Sequence, residues 1–208
     1  MPETLVVSLT TMFAVIGPID VSVVFAALTT QNSQKERRRM ATRGVLIGAA
    51  ILALFAFAGN PLLQYMGISL AALRVGGGIL LLLVAIEMVF ARSSGSTSTT
   101  DEEEEEAQSR DDISVFPLAT PLIAGPGAIG AIILLMAEAE GDPTRTAFVL
   151  GGLAAILLLT WKLLQIATQV DRVLGLTGLQ VVSRVFGILL AALSVQFIFD
   201  GLSQSGLF

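Results

Sequence analysis

Two glycine-proline pairs interrupt apolar runs of this sequence, and a carboxylate stands beside one of them. The stretch "TMFAVIGPIDVSVVFAALTT", residues 11–30, holds Gly17, Pro18 and Asp20, and "PLATPLIAGPGAI", residues 117–129, holds Gly125, Pro126 and Gly127. Proline removes a backbone NH and displaces the carbonyl of the preceding turn, while glycine adds backbone freedom. Each proline suits the first turn of a new half-helix, where its missing donor costs little. Such a half-helix aims unpaired NH groups and the positive end of its dipole at the break.

The chemistry this offers is ion recognition. Asp20 lies in the first turn after Pro18 and can accept from the free NH groups as a self-cap. The functional alternative is that it binds an ammonium or a coupling cation, or exchanges a proton, because an intramembrane carboxylate is costly without a role. Ala128 occupies the equivalent position of the second run. The break at Gly125 and Gly127 therefore favours an anion such as a carboxylate, the break at Asp20 favours a cation, and a zwitterion fits between them. Ser22 and Thr120 are close enough to the breaks to line a cavity. The competing reading is a pair of kinks that shape packing and bind nothing.

Transmembrane helices must position these residues. Of 208 residues, 54% are hydrophobic and 14% charged, with mean hydropathy +0.81, which is far more apolar than an ordinary soluble domain. A span needs about 20 mostly apolar residues, and six runs qualify: roughly 4–29, 43–65, 68–91, 113–138, 146–168 and 180–203. No Lys or Arg precedes the first run and no cleavage site follows it, so it reads as a retained span. The expected fold is an all-α, polytopic membrane protein with six transmembrane helices.

The sequence has no cysteine and no histidine. Thiolate chemistry, disulfides and Cys-based metal sites are excluded, and the commonest general base and metal ligand is missing. No Walker-type loop is present. An enzyme is not expected, nor a cofactor, a metal or a nucleic-acid partner. Net charge is −5 and comes largely from "DEEEEE" at 101–106. Lys35, Arg37, Arg38, Arg39 and Arg43 crowd the first loop, Arg92 and Arg110 flank the third, Lys162 and Arg172 lie in or near the fifth, and the opposite loops hold only Arg145. Loops rich in Lys and Arg stay cytoplasmic, so both termini should be outside and the 30–42 and 92–112 loops inside.

Residues 92–112, Ser/Thr-rich and then acidic, read as a disordered cytoplasmic linker between a first three-helix repeat at 1–91 and a second at 113–208. "IGPID" at 16–20 parallels "AGPGA" at 124–128, and "LRVGGGILLLLVAIEM" at 73–88 parallels "SRVFGILLAALSVQF" at 183–197. Arg74 follows Pro18 by 56 residues and Arg184 follows Pro126 by 58. An odd number of spans per repeat inverts the second half, giving a 3+3 inverted repeat with helices 1 and 4 broken at Gly-Pro. Lipid cannot satisfy open backbone groups, so such breaks persist only against protein or a water-filled cavity. Arg74 and Arg184 either snorkel to headgroups or pair inside with a carboxylate such as Glu87 or Asp20, as part of a gate. "RVGGG", 74–78, reads as close helix packing.

The motifs "PLATPLIAGPGAI" (117–129), "LRVGGGILLLLVAIEMVF" (73–90) and "GILLAALSVQFIFDGL" (187–202) resemble the MarC family of bacterial and archaeal inner-membrane proteins, also described as a six-helix neutral amino acid transporter family. The likeness covers nearly the whole chain apart from 92–112. It implies six spans in the cell inner (cytoplasmic) membrane, no cofactor, and transport of small neutral amino acids such as alanine or glycine. The family's first span usually reads like Asn-Pro-x-Gly-Asn-x-Pro. Here those positions are Gly17, Pro18, Ile19, Asp20, Val21, Ser22 and Val23, so only the first proline matches and contacts assigned to that motif do not carry over.

The expectation is a secondary transporter of alanine-, glycine- or serine-like amino acids working by alternating access. Its midplane site would use Gly17, Pro18, Asp20, Ser22, Thr120, Gly125, Pro126 and Gly127, with Asp20, Arg74 and Arg184 in coupling or gating. Its partners would be a small neutral amino acid, a proton or sodium ion and the lipid bilayer, and a homo-oligomer is compatible with the reading. The alternatives are a non-transporting scaffold or accessory protein and an exporter of another small solute.

Overall fold

The structure, a computed structural model, describes residues 2–90, 112–139 and 141–205, with the backbone alone for residues 2, 171–177 and 179. The linker expected at 92–112 lies outside the described residues apart from Asp112. Every element among the described residues is helical.

The first apolar run, Glu3–Leu28, is divided into α1 (Pro2–Ile16) and α2 (Pro18–Leu28). Gly17 separates them with φ 57° and ψ 58°, a left-handed conformation that glycine adopts without the Cβ penalty. Pro18 opens α2, where its fixed φ suits the first turn.

Helix α3 (Gln34–Tyr65) starts on a capping box: the Ser33 side chain accepts from the Glu36 amide, and the Glu36 carboxylate accepts from the Ser33 amide. Its 32 residues measure about 48 Å at 1.5 Å per residue, against a hydrocarbon core of about 30 Å. The helix therefore extends beyond the apolar segment expected from 43, and its first turns carry the basic cluster. Helix α4 is Leu70–Phe90.

In the second half, Ser114–Ile123 is followed by α5 (Pro126–Glu138), α6 (Pro143–Gln165) and α7 (Ala167–Gln204). The 114–123 segment is wound more loosely than an α-helix: the Leu118 NH donates to Ile113 O at 3.2 Å and the Ala124 NH to Ala119 O at 2.9 Å, both five residues back. Phe116 and Thr120 have extended dihedrals, and the Phe116–Pro117 and Thr120–Pro121 bonds are cis. The segment meets α5 at a 54° bend.

Among the described residues, five helical runs are long and apolar enough to cross a bilayer, and the bent pair makes a sixth when counted as one span. Their limits lie close to those read from the sequence, with α3 and α7 beginning earlier.

Close helix contacts explain several glycines. Between α4 and α7, a Cβ on Gly78 would meet Ser194 O at 2.8 Å, one on Gly187 would meet Met88 Cβ at 2.9 Å, and one on Gly201 would meet Ala71 O at 2.8 Å. Small residues let these backbones approach. Across the halves, α1 lies along α6, where the Ser8 hydroxyl donates to Val149 O at 3.1 Å. The 114–123 segment lies along α3, with Leu118 over Gly44 and Ile123 over Gly48. A shared core includes Met12, Phe25, Leu52, Leu81, Leu118, Ile132 and Leu190.

Candidate functional site

The first break presents a polar group to the last helix. Across it, the Gly17 NH donates to Phe13 O at 3.0 Å and the Val21 NH donates to Gly17 O at 2.9 Å. Turning the chain at Gly17 brings the Asp20 carboxylate back over the glycine, where a Cβ would lie 3.3 Å from Asp20 Oδ2. That carboxylate accepts from the Ser183 hydroxyl of α7, with oxygen separations of 3.1 and 3.3 Å. Its recorded partner among the described residues is thus a side chain 163 positions away, not the amides of its own first turn.

Around this pair runs a crevice lined by Phe13, Gly17, Ile19 and Asp20 from the first span, Met88 from α4, and Val182, Ser183 and Phe186 from α7. Phe13 and Phe186 close one side with ring centroids 4.1 Å apart. The free space is about 10 Å³, close to the smallest volume that holds one water. Asp20 is exposed at the edge of the crevice, which as it stands is too small for an amino acid.

Of the other residues singled out by sequence, Pro18 and Ser22 are buried in α2, and the Ser22 hydroxyl donates to Ile19 O at 2.7 Å within its own helix. Thr120 is half-buried and its hydroxyl reaches Val115 O at 3.4 Å. Gly125, with φ −80° and ψ 170°, is the residue before α5, and Pro126 opens that helix and is exposed. Gly127 is buried, and a Cβ there would stand 3.1 Å from Val84 Cγ2. The lining of the Asp20 crevice contains no residue of this second break. The two interrupted spans are nonetheless neighbours, since α1 touches α5 and α2 touches the 114–123 segment.

Arg74 is buried, with 4% of its surface exposed. Its Nε donates to Glu138 at the end of α5 and its Nη1 donates to Gln204 at the end of α7. Neither Glu87 nor Asp20 supplies the recorded carboxylate. Glu87 lies 13 residues further along the same helix, about 20 Å away. Arg184 is exposed on α7.

Sequence reasoning missed Ser183, which a distant helix supplies to Asp20, and Glu138 and Gln204, which distant helices supply to Arg74. It also missed Thr11 in α1, whose buried hydroxyl has no hydrogen-bond partner among the described residues. A buried orphan hydroxyl calls for an explanation such as a bound solute.

Residues 3–205 match a family model described as MarC family integral membrane protein. A UPF0056 membrane protein of Methanocaldococcus jannaschii is 36% identical over 197 residues, covering 95% of each chain. UPF0056 membrane protein YhcE of Escherichia coli is 34% identical, covering 92% of this chain and 88% of its own. UPF0056 membrane protein YvbG of Bacillus subtilis is 33% identical, covering 92% and 90%. No solved structure matches this chain.

Proposed function

Since this chain belongs to the MarC family of integral membrane proteins, we propose that it is a secondary transporter moving small neutral amino acids by alternating access. One observation carries the reading: the left-handed Gly17 turns Asp20, a charged group inside an apolar span, onto Ser183 in a crevice flanked on one side by aromatic rings. An intramembrane carboxylate held this way suits a substrate ammonium or a coupling proton or sodium ion. The second break, lacking an acid, would offer oriented amides to the substrate carboxylate.

The conformation is read as closed. Opening requires the first span to move against α4 and α7, which line the crevice. The Arg74–Glu138–Gln204 cluster ties three spans at the ends away from the basic loop and is assigned to an outer gate, with Arg184 at the headgroups.

Packing supports a 3+3 inverted repeat. The first span of each half lies along the second span of the other half, and the two third spans, α4 and α7, face each other. Exchanging the halves leaves this pattern unchanged. The clustering of Lys and Arg supports an orientation with both termini outside and the 30–42 and 92–112 loops in the cytoplasm.

The experiment is counterflow of labelled alanine, glycine, serine and leucine in liposomes containing the purified protein, with Asp20→Asn and Pro126→Ala beside the parent. Saturable exchange weakened by Asp20→Asn supports the reading. Folded protein that exchanges none of the four sinks it and favours a second reading, a non-transporting scaffold or accessory protein, which draws its support from the small volume of the crevice.

A further inference from the structure

A polar recess outside the proposed transport path opens where the α2–α3 loop meets the elbow between α6 and α7. Its volume is about 260 Å³, and Gln34, Arg37, Arg38, Gln165, Thr168 and Gln169 line it. The donors outnumber the groups that could neutralise them. Neither Arg37 nor Arg38 is ion-paired among the described residues, where Arg43 takes Asp112 and Arg74 takes Glu138. The Arg37 guanidinium stands 5.9 Å over the Phe25 ring. A cation–π contact of this length consumes none of the NH donors, which stay available to oxygen acceptors. Gln165 adds an Nε2 that is buried and without a hydrogen-bond partner.

Two guanidiniums, an amide with a buried and unpartnered Nε2, and a hydroxyl lining one recess suit an oxyanion with several acceptor oxygens. The place in the fold narrows the class. The recess lies at the ends of membrane spans, and Arg38 also borders a shallow groove on α3 that passes from Arg39, Thr42 and Arg43 to apolar Leu46, Ile47 and Ala50. Basic pockets between spans at this level suit acidic headgroups. We propose that this recess binds a phosphate-bearing anion, with the headgroup of an acidic phospholipid in the recess and its acyl chains along α3.

The test uses the full chain purified in neutral detergent, titrated separately with phosphatidylglycerol and with inorganic phosphate, and reads the unfolding temperature and lipid retention in native mass spectra. Phosphatidylglycerol should stabilise the parent saturably. The half-saturation concentration should rise about tenfold or more in Arg37→Gln/Arg38→Gln and in the charge-neutral Gln165→Leu, as loss of charge-assisted contacts predicts. The double change Lys35→Gln/Lys162→Gln removes equal charge outside both the recess and the α3 groove and should leave it within about twofold. If inorganic phosphate reproduces the stabilisation and displaces the lipid, the recess reads the oxyanion itself; if only the lipid acts, the α3 groove contributes. Equal weakening by the Lys35/Lys162 pair would reduce the effect to diffuse surface charge and overturn the site, as would saturable stabilisation by neither ligand.

Discussion

At Gly17 a single left-handed residue separates two helices of one apolar run, whereas the span of residues 114–138 bends by 54° after a loosely wound segment with two extended residues. The first break turns a carboxylate onto a distant hydroxyl; the second carries alanine at the matching place and seats Gly127 against Val84. A similar contrast holds for the recurring arginines, since Arg74 is buried and paired while Arg184 is exposed. The two halves share an order of motifs and a pattern of packing, yet one concentrates charge and the other shape. A site between them would be chemically lopsided, as an ammonium and a carboxylate require.

Removing the charge attacks that contrast most directly. Asp20→Asn retains an acceptor for Ser183, so folding should persist while counterflow falls about tenfold or more, the scale of a lost charge-assisted contact. Parent-like exchange by this variant would shift the site away from the first break. Next in size is the arginine contrast. Glu138→Gln leaves Arg74 buried without its carboxylate. Because Glu138 is 29% exposed, the cost should fall between that of a surface pair and that of a buried one, about 2 kcal/mol. Arg184→Gln should stay within about 0.5 kcal/mol. Denaturant unfolding in micelles compares them, and equal costs would remove the distinction between the two arginines.

A third change isolates backbone geometry. Gly17→Ala places a Cβ at positive φ and should cost about 1–2 kcal/mol. Gly125 has dihedrals that any residue adopts, so Gly125→Ala carries no conformational strain and should cost less, any loss there coming from packing. The same unfolding measurement ranks the two, and the reverse order would mean that the second break depends on its glycine more than the first does.

Much of this was legible because the bilayer imposes a length. Runs of apolar residues marked the spans to within a few positions at most ends, and Gly17-Pro18 marked the point where α1 gives way to α2 within one span, since a proline after a glycine has one economical place in a helix. The second break was legible only in part. Gly125-Pro126 is the more visible signal, yet helical geometry already fails at Phe116 and Thr120, each immediately before a proline and so pushed toward extended backbone. Pro117 and Pro121 held that signal. The early start of α3 followed from the Ser33 and Glu36 capping box, readable once the basic loop is allowed to be helical. What the sequence could not contain is which distant helices would meet. Asp20 with Ser183, and Arg74 with Glu138, are tertiary pairings that no local spacing encodes.

The smallest effect separates the second spans of the two halves, whose N-caps differ in kind. Helix α3 begins on the hydroxyl of Ser33, while α6 begins on the carboxylate of Asp142, which accepts from the Thr144 amide at 2.7 Å and the Arg145 amide at 3.1 Å. The Arg145 and Thr144 amide bonds favour the ionised form and hold Asp142 below the ordinary carboxylate value of 3.8. A group depressed in the folded state contributes its stability in full above its unfolded value and loses it as pH falls through the lower folded value. Acidification below about pH 4 should therefore loosen the first turn of α6, seen as faster exchange and shifted resonances of the Thr144 and Arg145 amides. The hydroxyl cap of α3 does not itself titrate. Asp142→Asn, which keeps a side-chain acceptor without the ionisation, should flatten the pH response of α6 while leaving a helix start close to the parent's at neutral pH. If its amides still responded as the parent's do, the acid sensitivity would belong to another group, and the two helix starts would be alike in this respect.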